Sequence, residues 1–463
     1  MKNFPRDRTH PLAAAVLAGA LLAGCGGDAT PELPAELACQ VGAWQFDSGE
    51  TMVLAPANGD LRYRFLDGRI GLLQADGDQG QYVAREGWRQ EGPTVASATF
   101  GACPTDRLQF ELQDGPAGIA TRLELPTEDT TFASGDLTLR GRLVMPTQVD
   151  GPVPLAVLVH GSEDYSGVDI YPKQYLLPAQ GVAVFVYDKR GTGGSQGEYT
   201  QDFHVLADDA VAALETARRL RPGAFSRTGF VGASQGGWIA PLAASRSDVD
   251  YVVAEYGLAE TALAEDREQV MDDMRAAGPD DEVLAKAREV TDATALLITS
   301  GFTRGFDELD DVRRRYGDEP WFADVRGEFT GKVLDLPAWL PQWAARAVLA
   351  RLDVQTSWEY EPMPVLGALS MPQLWIIAGE DLEAPNAETL RRIRLLQSRG
   401  LPVDLAVFPA TDHGIYEFAE EDGARTMLRH PEGYLRLLAE WIARPGLDGD
   451  YGSAQLEPAR VEE

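Results

Sequence analysis

Residues 228–244 read TGFVGASQGGWIAPLAA. The run from Thr228 to Val231 predicts a buried strand, and residues 237–244 have the composition of a helix. Between them, Gly232-Ala-Ser-Gln-Gly236 matches the pattern G-x-S-x-G, which places a serine on a sharp turn from strand to helix with its hydroxyl exposed. The small flanking residues let the backbone pass through that turn. This context predicts Ser234 as a catalytic nucleophile.

A second match to the same pattern, Gly193-Gly-Ser-Gln-Gly197, lacks this context. It follows a loop that begins at Asp188, and it continues into residues 198–202 without a helical composition. The pattern projects a hydroxyl above a sheet only where a strand precedes it and a helix follows. We therefore do not expect Ser195 to be a nucleophile.

The chain on both sides of Ser234 predicts a doubly wound α/β fold. Runs that are apolar almost without alternation suit parallel strands buried on both faces, and they occur at residues 155–159, 182–187, 228–232, 251–256, 373–378 and 405–408. Stretches of helical composition lie between or after these runs, at residues 208–220, 236–245, 386–399 and 432–443. This alternation indicates a mainly parallel sheet with helices on both faces.

A serine nucleophile needs a base with a near-neutral pKa, which in proteins means histidine. His413 lies in the loop Ala410-Thr-Asp-His-Gly-Ile415, directly after the last predicted strand. His160, His204 and His430 occupy a strand end, a helix start and the approach to the last helix, where histidines more often have structural roles. The position of His413 therefore favours it as the general base.

The third member of such a site is an acid that orients the imidazole. Asp381 follows the predicted strand at residues 373–378, and the carboxyl ends of parallel strands are where active-site groups collect. This position favours Asp381. Periodicity does not separate it from Glu380, Glu383 and Asp412, which lie within a turn of the same places and remain alternatives.

A serine attack on a carbonyl also needs two backbone amides that bind the developing oxyanion. One is the amide of the residue after the nucleophile, Gln235. The other comes from a loop after an early strand, and His160-Gly161-Ser162 offers it, with Ser162 as the favoured donor. A simple strand-ending turn is the alternative reading of that loop.

Together these residues resemble those of bacterial α/β-hydrolases near the prolyl oligopeptidase-like and serine aminopeptidase-like groups. The resemblance covers roughly residues 130–443. The segments that carry it are His160-Gly-Ser162, Tyr187-Asp-Lys-Arg-Gly-Thr-Gly-Gly-Ser195, Gly232-Ala-Ser-Gln-Gly236, Gly379-Glu-Asp381 and Asp412-His-Gly414.

This resemblance implies the α/β-hydrolase fold, the triad of Ser234, Asp381 and His413, and action on carboxylic esters or amides. It also implies that the Asp188-Lys-Arg-Gly segment is a structural loop near the site. One departure is that family members often continue the first loop as His-Gly-Ser-Gly-Pro, whereas this chain has Glu163-Asp164. We therefore expect a more acidic pocket entrance.

Turn signals divide the remainder of the chain. Asn58-Gly59, Asp67-Gly68 and Asp76-Gly77 predict hairpins, so residues 37–128 are interpreted as a small antiparallel β domain. The hydrolase core is predicted at residues 129–257 and 361–446. The tail, residues 447–463, has a polar composition that indicates disorder.

Residues 258–360 interrupt the strand-helix alternation. This segment is too long for a plain connection and has helical spacing, which predicts an inserted helical cap. Both of its junctions follow or precede strands of the core, so we expect the cap to cover the triad. In particular, the apolar residues 334–348, with Trp339 and Trp343, are expected to form a pocket wall.

The N-terminus has the pattern of a lipoprotein signal. Residues 1–24 combine a basic start with an apolar run at residues 12–23, too short to cross a bilayer, and the run ends in a lipobox-like Leu22-Ala-Gly-Cys25. We expect Cys25 to be lipidated and residues 25–36 to form a tether. The protein would then be exported and anchored to the cell envelope, on the periplasmic side of the outer membrane in a Gram-negative cell.

Composition restricts the partners. Lipidation of Cys25 would leave Cys39 and Cys103, which we expect to form a disulfide in an exported chain. Five histidines and no CxxC or HExxH motif give no basis for a metal site, and no cofactor is expected. A net charge of −31 disfavours nucleic acid. The oligomeric state is left open.

The resemblance leads to three functional hypotheses. The first is a serine hydrolase that cleaves carboxylic esters of small substrates. The second is a peptidase of the aminopeptidase or acylaminoacyl-peptidase type that acts on short peptides. The third, from another class, is a lipoprotein that keeps the hydrolase fold for binding without turnover.

Overall fold

The structure, a computed structural model, describes residues 33–77, 80–147, 150–421 and 423–459. The predicted signal peptide, Cys25 and most of the tether lie outside these ranges. Within them, no helix has both the length and the apolar character needed to cross a membrane.

The N-terminal part of the chain is a closed antiparallel barrel of eight strands, in which β1 pairs with β8. The predicted hairpin at Asn58-Gly59 joins β2 to β3, and both residues have the positive φ angles that such a tight turn requires (52° and 81°). The strands are β1 Gly42–Phe46, β2 Thr51–Ala57, β3 Asp60–Phe65, β4 Ile70–Ala75, β5 Gln81–Ala84, β6 Ala96–Thr99, β7 Arg107–Leu112 and β8 Ala117–Leu123.

Alternate side chains of the barrel strands fill its interior. On β3, Leu61, Tyr63 and Phe65 point inward and join a core of their own, separate from that of the rest of the chain. The predicted disulfide is confirmed, because Cys39 is bonded to Cys103. It closes a loop of 64 residues across the barrel, a length that the chain-entropy model values at about 4 kcal/mol of stability.

A nine-stranded sheet forms the second part of the molecule. Its six central strands, in the order β12-β11-β13-β14-β15-β16, are parallel, and antiparallel strands flank them on both sides. The strands are β9 Thr127–Ser134, β10 Leu137–Val144, β11 Val153–Val159, β12 Ala183–Tyr187, β13 Phe225–Ala233, β14 Tyr251–Glu255, β15 Gln373–Ala378, β16 Val403–Phe408 and β19 Gln455–Glu457. A separate hairpin consists of β17 Glu417–Glu421 and β18 Ala424–Arg429.

Helices cover both faces of this sheet. Numbered in chain order, the helices are α1 Ala35–Ala38, α2 Gly167–Ile170, α3 Lys173–Leu176, α4 Phe203–Leu220, α5 Gly236–Ala244, α6 Ala262–Ala277, α7 Asp281–Thr299, α8 Phe306–Tyr316, α9 Glu328–Leu334, α10 Gln342–Leu352, α11 Met363–Leu366, α12 Ala387–Ser398 and α13 Tyr434–Ala443. Short 3-10 helices occupy Pro178–Gln180 and Pro320–Asp324.

Two cores lie on opposite faces of the sheet. Helices α4 and α5 pack against one face, and α2, α3 and α13 pack against the other. Strands buried on both faces have no polar face, which explains the unbroken apolar runs in the sequence. The topology confirms the predicted α/β-hydrolase fold with a small N-terminal antiparallel β domain.

The segment predicted as a cap contains helices α6 to α10 and has its own apolar core, formed by residues such as Val270, Val290 and Leu309. It leaves the sheet after β14 and returns before β15. Because these helices bury their apolar faces against one another, the segment does not need the sheet to cover them.

The prediction of a disordered tail is wrong for the part of it that the structure describes, residues 447–459. Strand β19 pairs antiparallel with β16, and Ala459 N donates to Asp404 Oδ1 (2.7 Å). Arg394 on α12 forms an ion pair with Glu457 (2.6 Å). The tail is ordered because it satisfies the backbone groups along an edge that β16 would otherwise expose, and three residues are too few to show a strand period.

The barrel contacts the hydrolase part through the β17–β18 hairpin. His430 N donates to Gly68 O (3.0 Å), and Trp88 N donates to Met427 O (2.9 Å). The rings of Trp88, Tyr416 and His430 contact one another in series, with centroids 4.7 and 4.2 Å apart. This interface holds the barrel beside the loop that carries His413.

Candidate active site

Ser234 stands on the sharp turn between β13 and α5. It has a positive φ of 53°, unusual for a residue other than glycine. The two glycines of the pattern leave no room for a side chain. A Cβ on Gly232 would lie 2.0 Å from Gly236 O, and one on Gly236 would lie 2.3 Å from Val159 O. The strained turn is therefore possible only with this local sequence.

The structure brings the three predicted triad residues into one chain of hydrogen bonds. His413 Nε2 lies 3.1 Å from Ser234 Oγ, and His413 Nδ1 lies 2.9 Å from Asp381 Oδ2. Because the carboxylate accepts from Nδ1–H, the lone pair of Nε2 faces the serine hydroxyl. Asp381 and His413 sit on the loops after β15 and β16, the neighbouring strands beyond β14.

The alternative carboxylates occupy other positions. Asp412 accepts from the backbone amides of Leu382 (2.9 Å) and His413 (2.8 Å) and forms an ion pair with Arg425 (3.0 Å). Glu380 also faces Arg425 (3.6 Å). Asp412 and Glu380 therefore hold the loops in place, and neither is the carboxylate bonded to the imidazole.

Glu383 lies on the other side of His413. Its Oε1 is 3.8 Å from His413 Nε2, and its side chain is exposed. Burial by itself lowers the pKa of His413, but the hydrogen bond from Nδ1 to Asp381 and the charges of Asp381, Glu383 and Asp412 raise it above its ordinary value. The protonated imidazole is thus stabilised by three carboxylates.

The other histidines of the described chain do not reach Ser234. His160 Nε2 donates to Tyr187 O (2.7 Å), and His430 Nδ1 donates to Ile415 O (2.9 Å). Burial lowers the pKa of both to about 3, so each is a neutral structural group. His204 is exposed beside Arg246. No cluster of His, Cys, Asp and Glu suited to a metal ion was found within the described residues.

Ser195 has a different role. Its Oγ donates to Asp188 O (2.7 Å) and accepts from Arg140 N (2.9 Å). Both partners lie in the adjoining loop and strand, so the hydroxyl ties this loop to the sheet edge.

The two predicted oxyanion amides belong to Gln235 and Ser162. In the part of the chain that the structure describes, neither amide donates to a protein acceptor. The buried Lys189 Nζ donates to Gly161 O (2.7 Å). Because the Gly161 carbonyl and the Ser162 amide belong to one planar trans peptide and point in opposite directions, this bond fixes the direction of the Ser162 N–H.

Ser234 and His413 open on a cavity of about 1850 Å³. Its walls come from the hydrolase core and, on the other side, from barrel residues that include Arg62, Arg64 and Trp88. Among the described residues, none from the segment 258–360 lines this cavity.

The expectation that the cap forms the pocket wall is therefore wrong. Trp339 and Trp343 are each 77% exposed and lie away from the cavity. The physical reason is that the helices of this segment bury their apolar faces against one another. The barrel instead supplies residues that line the cavity. Sequence periodicity gives no information on which neighbouring domain closes a pocket.

Several buried groups near the triad were not identified from the sequence. Glu255 is fully buried and pairs with Lys173 (Nζ to Oε2, 2.6 Å) and with the Tyr434 hydroxyl (2.5 Å). The ring of Tyr256 contacts that of His413, with centroids 5.0 Å apart. The Tyr256 contact packs the imidazole, and the only signal in the sequence was the almost unbroken apolar run of residues 251–256, which indicated a central strand.

The two acidic residues by which the first loop differs from the family pattern lie in the cavity. Glu163 and Asp164 line it, and burial raises the pKa of Glu163 although Lys189 opposes the rise. A Cβ on Gly161 would be 2.8 Å from Glu163 Oε2 and 3.2 Å from Ser234 Cβ, which places this carboxyl beside the nucleophile. The end of the cavity at Ser234 is therefore acidic.

The chain is similar to one protein family and to several solved structures. Residues 151–254 match the family model described as serine aminopeptidase, S33. Among solved structures, the acylaminoacyl peptidase of Pyrococcus horikoshii is 18% identical, with a TM-score of 0.43, over 88% of this chain and 56% of that one. An esterase of Pyrococcus furiosus is 16% identical, with a TM-score of 0.39, over 63% and 84%. The chain spans little more than half the length of that peptidase, and no curated protein matches.

The raised pKa of His413 predicts how activity depends on pH. The imidazole must be neutral to accept the serine proton, so the protonated, inactive form persists to a higher pH than the ordinary value of 6.5 allows. The acidic midpoint of kcat/KM against pH for a small ester should lie above 6.5. Glu383→Gln removes a negative charge near Nε2 and should move this midpoint downward.

The matched control is Glu380→Gln, which removes the same charge three residues away beside Arg425. It should leave the midpoint where it is in the unchanged protein. A midpoint that stays constant in Glu383→Gln, or moves equally in both variants, would contradict the electrostatic argument.

Proposed function

We propose that this serine hydrolase cleaves carboxylic esters of small substrates through an acyl-enzyme on Ser234, with His413 as base and Asp381 as the acid that orients it. The observation that carries the proposal is the continuous series of hydrogen bonds from Asp381 through His413 to Ser234 Oγ. It ends at a hydroxyl that faces a large cavity.

The geometry supports a two-step reaction. His413 Nε2 takes the proton from Ser234 Oγ as the oxygen attacks the ester carbonyl, and the oxyanion that forms accepts hydrogen bonds from the Gln235 and Ser162 amides. The imidazolium then protonates the leaving alcohol, and the acyl group remains on Ser234. A water molecule gives a proton to His413 as its oxygen attacks the acyl carbonyl. When the ester bond to Ser234 then breaks, His413 returns that proton to Ser234 Oγ and the carboxylic acid leaves.

The position of the cavity supports a small substrate. Ser234 lies where the hydrolase core faces the barrel, so a substrate must enter the space between two packed domains. An extended polypeptide within a folded protein would have to displace the barrel. We therefore expect small esters to react faster than folded proteins.

A second candidate is a peptidase that acts on short peptides. Two observations favour it, the match of residues 151–254 to the serine aminopeptidase model and the acidic groups Glu163 and Glu383 beside Ser234, which would attract a substrate amine. A third candidate, binding without turnover, is disfavoured by the complete hydrogen-bonded triad and by two candidate oxyanion amides that have no protein acceptor.

Labelling with a fluorophosphonate distinguishes catalysis from binding. Ser234→Ala should abolish labelling and lower kcat for a p-nitrophenyl ester by at least about 1000-fold, because the nucleophile is lost. Ser195→Ala is the matched control, because it removes a hydroxyl from the same sequence pattern outside the triad, and it should be labelled normally. Undiminished turnover in Ser234→Ala would refute the assignment.

A comparison of esters with amides decides between the first two candidates. We expect kcat/KM for small p-nitrophenyl esters to exceed that for p-nitroanilides of single amino acids by more than the intrinsic difference in reactivity, measured from the alkaline hydrolysis of both. An aminoacyl anilide that reacts as fast as the esters would favour the peptidase, and intact casein should be cleaved least.

We further propose that the protein is exported and anchored through lipidated Cys25. The disulfide between Cys39 and Cys103 supports an oxidising compartment. Cys25→Ser in the full chain should move the protein from the membrane fraction to the soluble fraction of cells. Equal membrane residence of this variant and the unchanged protein would contradict the anchor.

A further inference from the structure

Two arginines on the barrel lack a counter-ion in the part of the chain that the structure describes. Arg62 and Arg64 lie on β3, on its outward face, between the interior residues Leu61, Tyr63 and Phe65. Residues two apart on a strand project from the same face about 7 Å from each other. Each arginine is only 7% exposed, because this face of the barrel is turned toward the hydrolase core.

Neither guanidinium makes a hydrogen bond or an ion pair within the described residues. The Nε atoms of both side chains and Nη1 of Arg64 are buried without an acceptor. Arg62 stacks on the ring of Trp88, with its Cζ 4.0 Å from the ring centre. This contact orients the guanidinium but supplies no hydrogen-bond acceptor.

Two buried guanidinium groups without a counter-ion lower the stability of the protein when no ligand is bound. Burying an unpaired charge is unfavourable, and a second like charge nearby adds repulsion. Both effects are visible at Arg62, because burial and then the charge of Arg64 lower its pKa to about 10. By contrast, Arg140 and Arg142 of the hydrolase part are each paired with an aspartate.

The two arginines line the same cavity as Ser234 and His413. Of the charged residues that line the cavity, Arg142, Asp169, Lys173 and Glu255 each form an ion pair with an oppositely charged side chain. The remaining ones are the acidic residues Glu163, Asp164 and Glu383 of the hydrolase loops and Arg62 and Arg64 of the barrel. Tyr165 also lines the cavity.

We propose that Arg62 and Arg64 bind an anionic oxygen group of the substrate, a carboxylate or a phosphate, remote from the bond that Ser234 cleaves. A guanidinium presents a fork of N–H donors that matches two oxygens of such a group. The acidic groups at Ser234 repel an anion, so the anionic end must lie toward the barrel. This inference rests on the proposed hydrolase function, and it adds a specificity that the triad does not supply.

Paired substrates test the proposal. Monoesters of p-nitrophenol with dicarboxylic acids, from succinate to suberate, are compared with the uncharged esters of equal chain length, from butyrate to octanoate. The same comparison with 4-carboxyphenyl and phenyl hexanoate places the charge on the leaving group. In at least one series, kcat/KM should favour the anionic substrate by about tenfold or more, the scale of charge-assisted hydrogen bonds, and high salt should reduce the preference.

Substitutions locate the effect. Arg62→Gln and Arg64→Gln should each lower kcat/KM for the preferred anionic ester by about tenfold and leave the uncharged ester unchanged. Arg107→Gln is the matched control, because Arg107 is an exposed arginine of the same barrel, on β7. If the arginines bind substrate, removing an unpaired buried charge should leave Tm unchanged or raise it. A fall in Tm with no change in substrate preference would indicate a structural role and overturn the proposal.

A binding measurement separates this inference from the proposed function. In Ser234→Ala, calorimetry with monomethyl adipate and with butyl phosphate should detect binding that Arg64→Gln weakens about tenfold, whereas methyl hexanoate should bind equally to both proteins. The probe that binds more tightly identifies the anion. Binding that depends on Arg64 without fluorophosphonate labelling would refute the hydrolase alone, and labelling without any anionic preference would refute the arginine site alone.

Discussion

The strained turn at Ser234 is the constraint on which the rest of the hydrolase part depends. A positive φ at a serine is tolerated because Gly232 and Gly236 let β13, β11 and α5 approach within contact distance. That approach fixes β13 at the centre of the sheet, and Ser234 N donates to Glu255 O on β14 (3.0 Å). Strands β15 and β16 lie beyond β14 in the same sheet, and the loops that follow them carry Asp381 and His413. The position of the turn therefore determines where these two side chains must lie to reach the serine hydroxyl.

The barrel supplies one wall of the cavity at this site and adds positive charge to it. It is held to the β17–β18 hairpin by backbone hydrogen bonds and by the contacts of Trp88, Tyr416 and His430, and it closes the cavity on the side opposite Ser234. The acidic groups therefore come from the hydrolase loops and the unpaired arginines from the barrel. A cavity with acidic groups near Ser234 and arginines contributed by the barrel can orient a bound substrate.

The prediction of the fold rested on local patterns, and those patterns have physical causes. Strands buried on both faces must be apolar throughout, Asn58-Gly59 can adopt two positive φ angles, and Gly232 and Gly236 are the residues that a close strand-helix turn admits. The prediction of a disordered tail was wrong because β19 has only three residues, and its order comes from pairing with β16. The prediction that the cap forms a pocket wall was wrong because the apolar face of an amphipathic helix does not specify which surface covers it.

The sequence by itself determined the strand-turn-helix at Ser234, the alternation of the doubly wound sheet, the antiparallel β domain, the pair of cysteines in the barrel and the preference for Asp381 and His413. These depend on residues that are close together in the chain or on the order of elements along it. Only the tertiary structure decided which carboxylate bonds to the imidazole, that Lys189 fixes the Ser162 amide, and that Arg62 and Arg64 share a cavity with Ser234. The reason is that a hydrogen bond or a cavity wall depends on separations of a few ångströms between residues up to 179 positions apart, and one sequence carries no record of those separations.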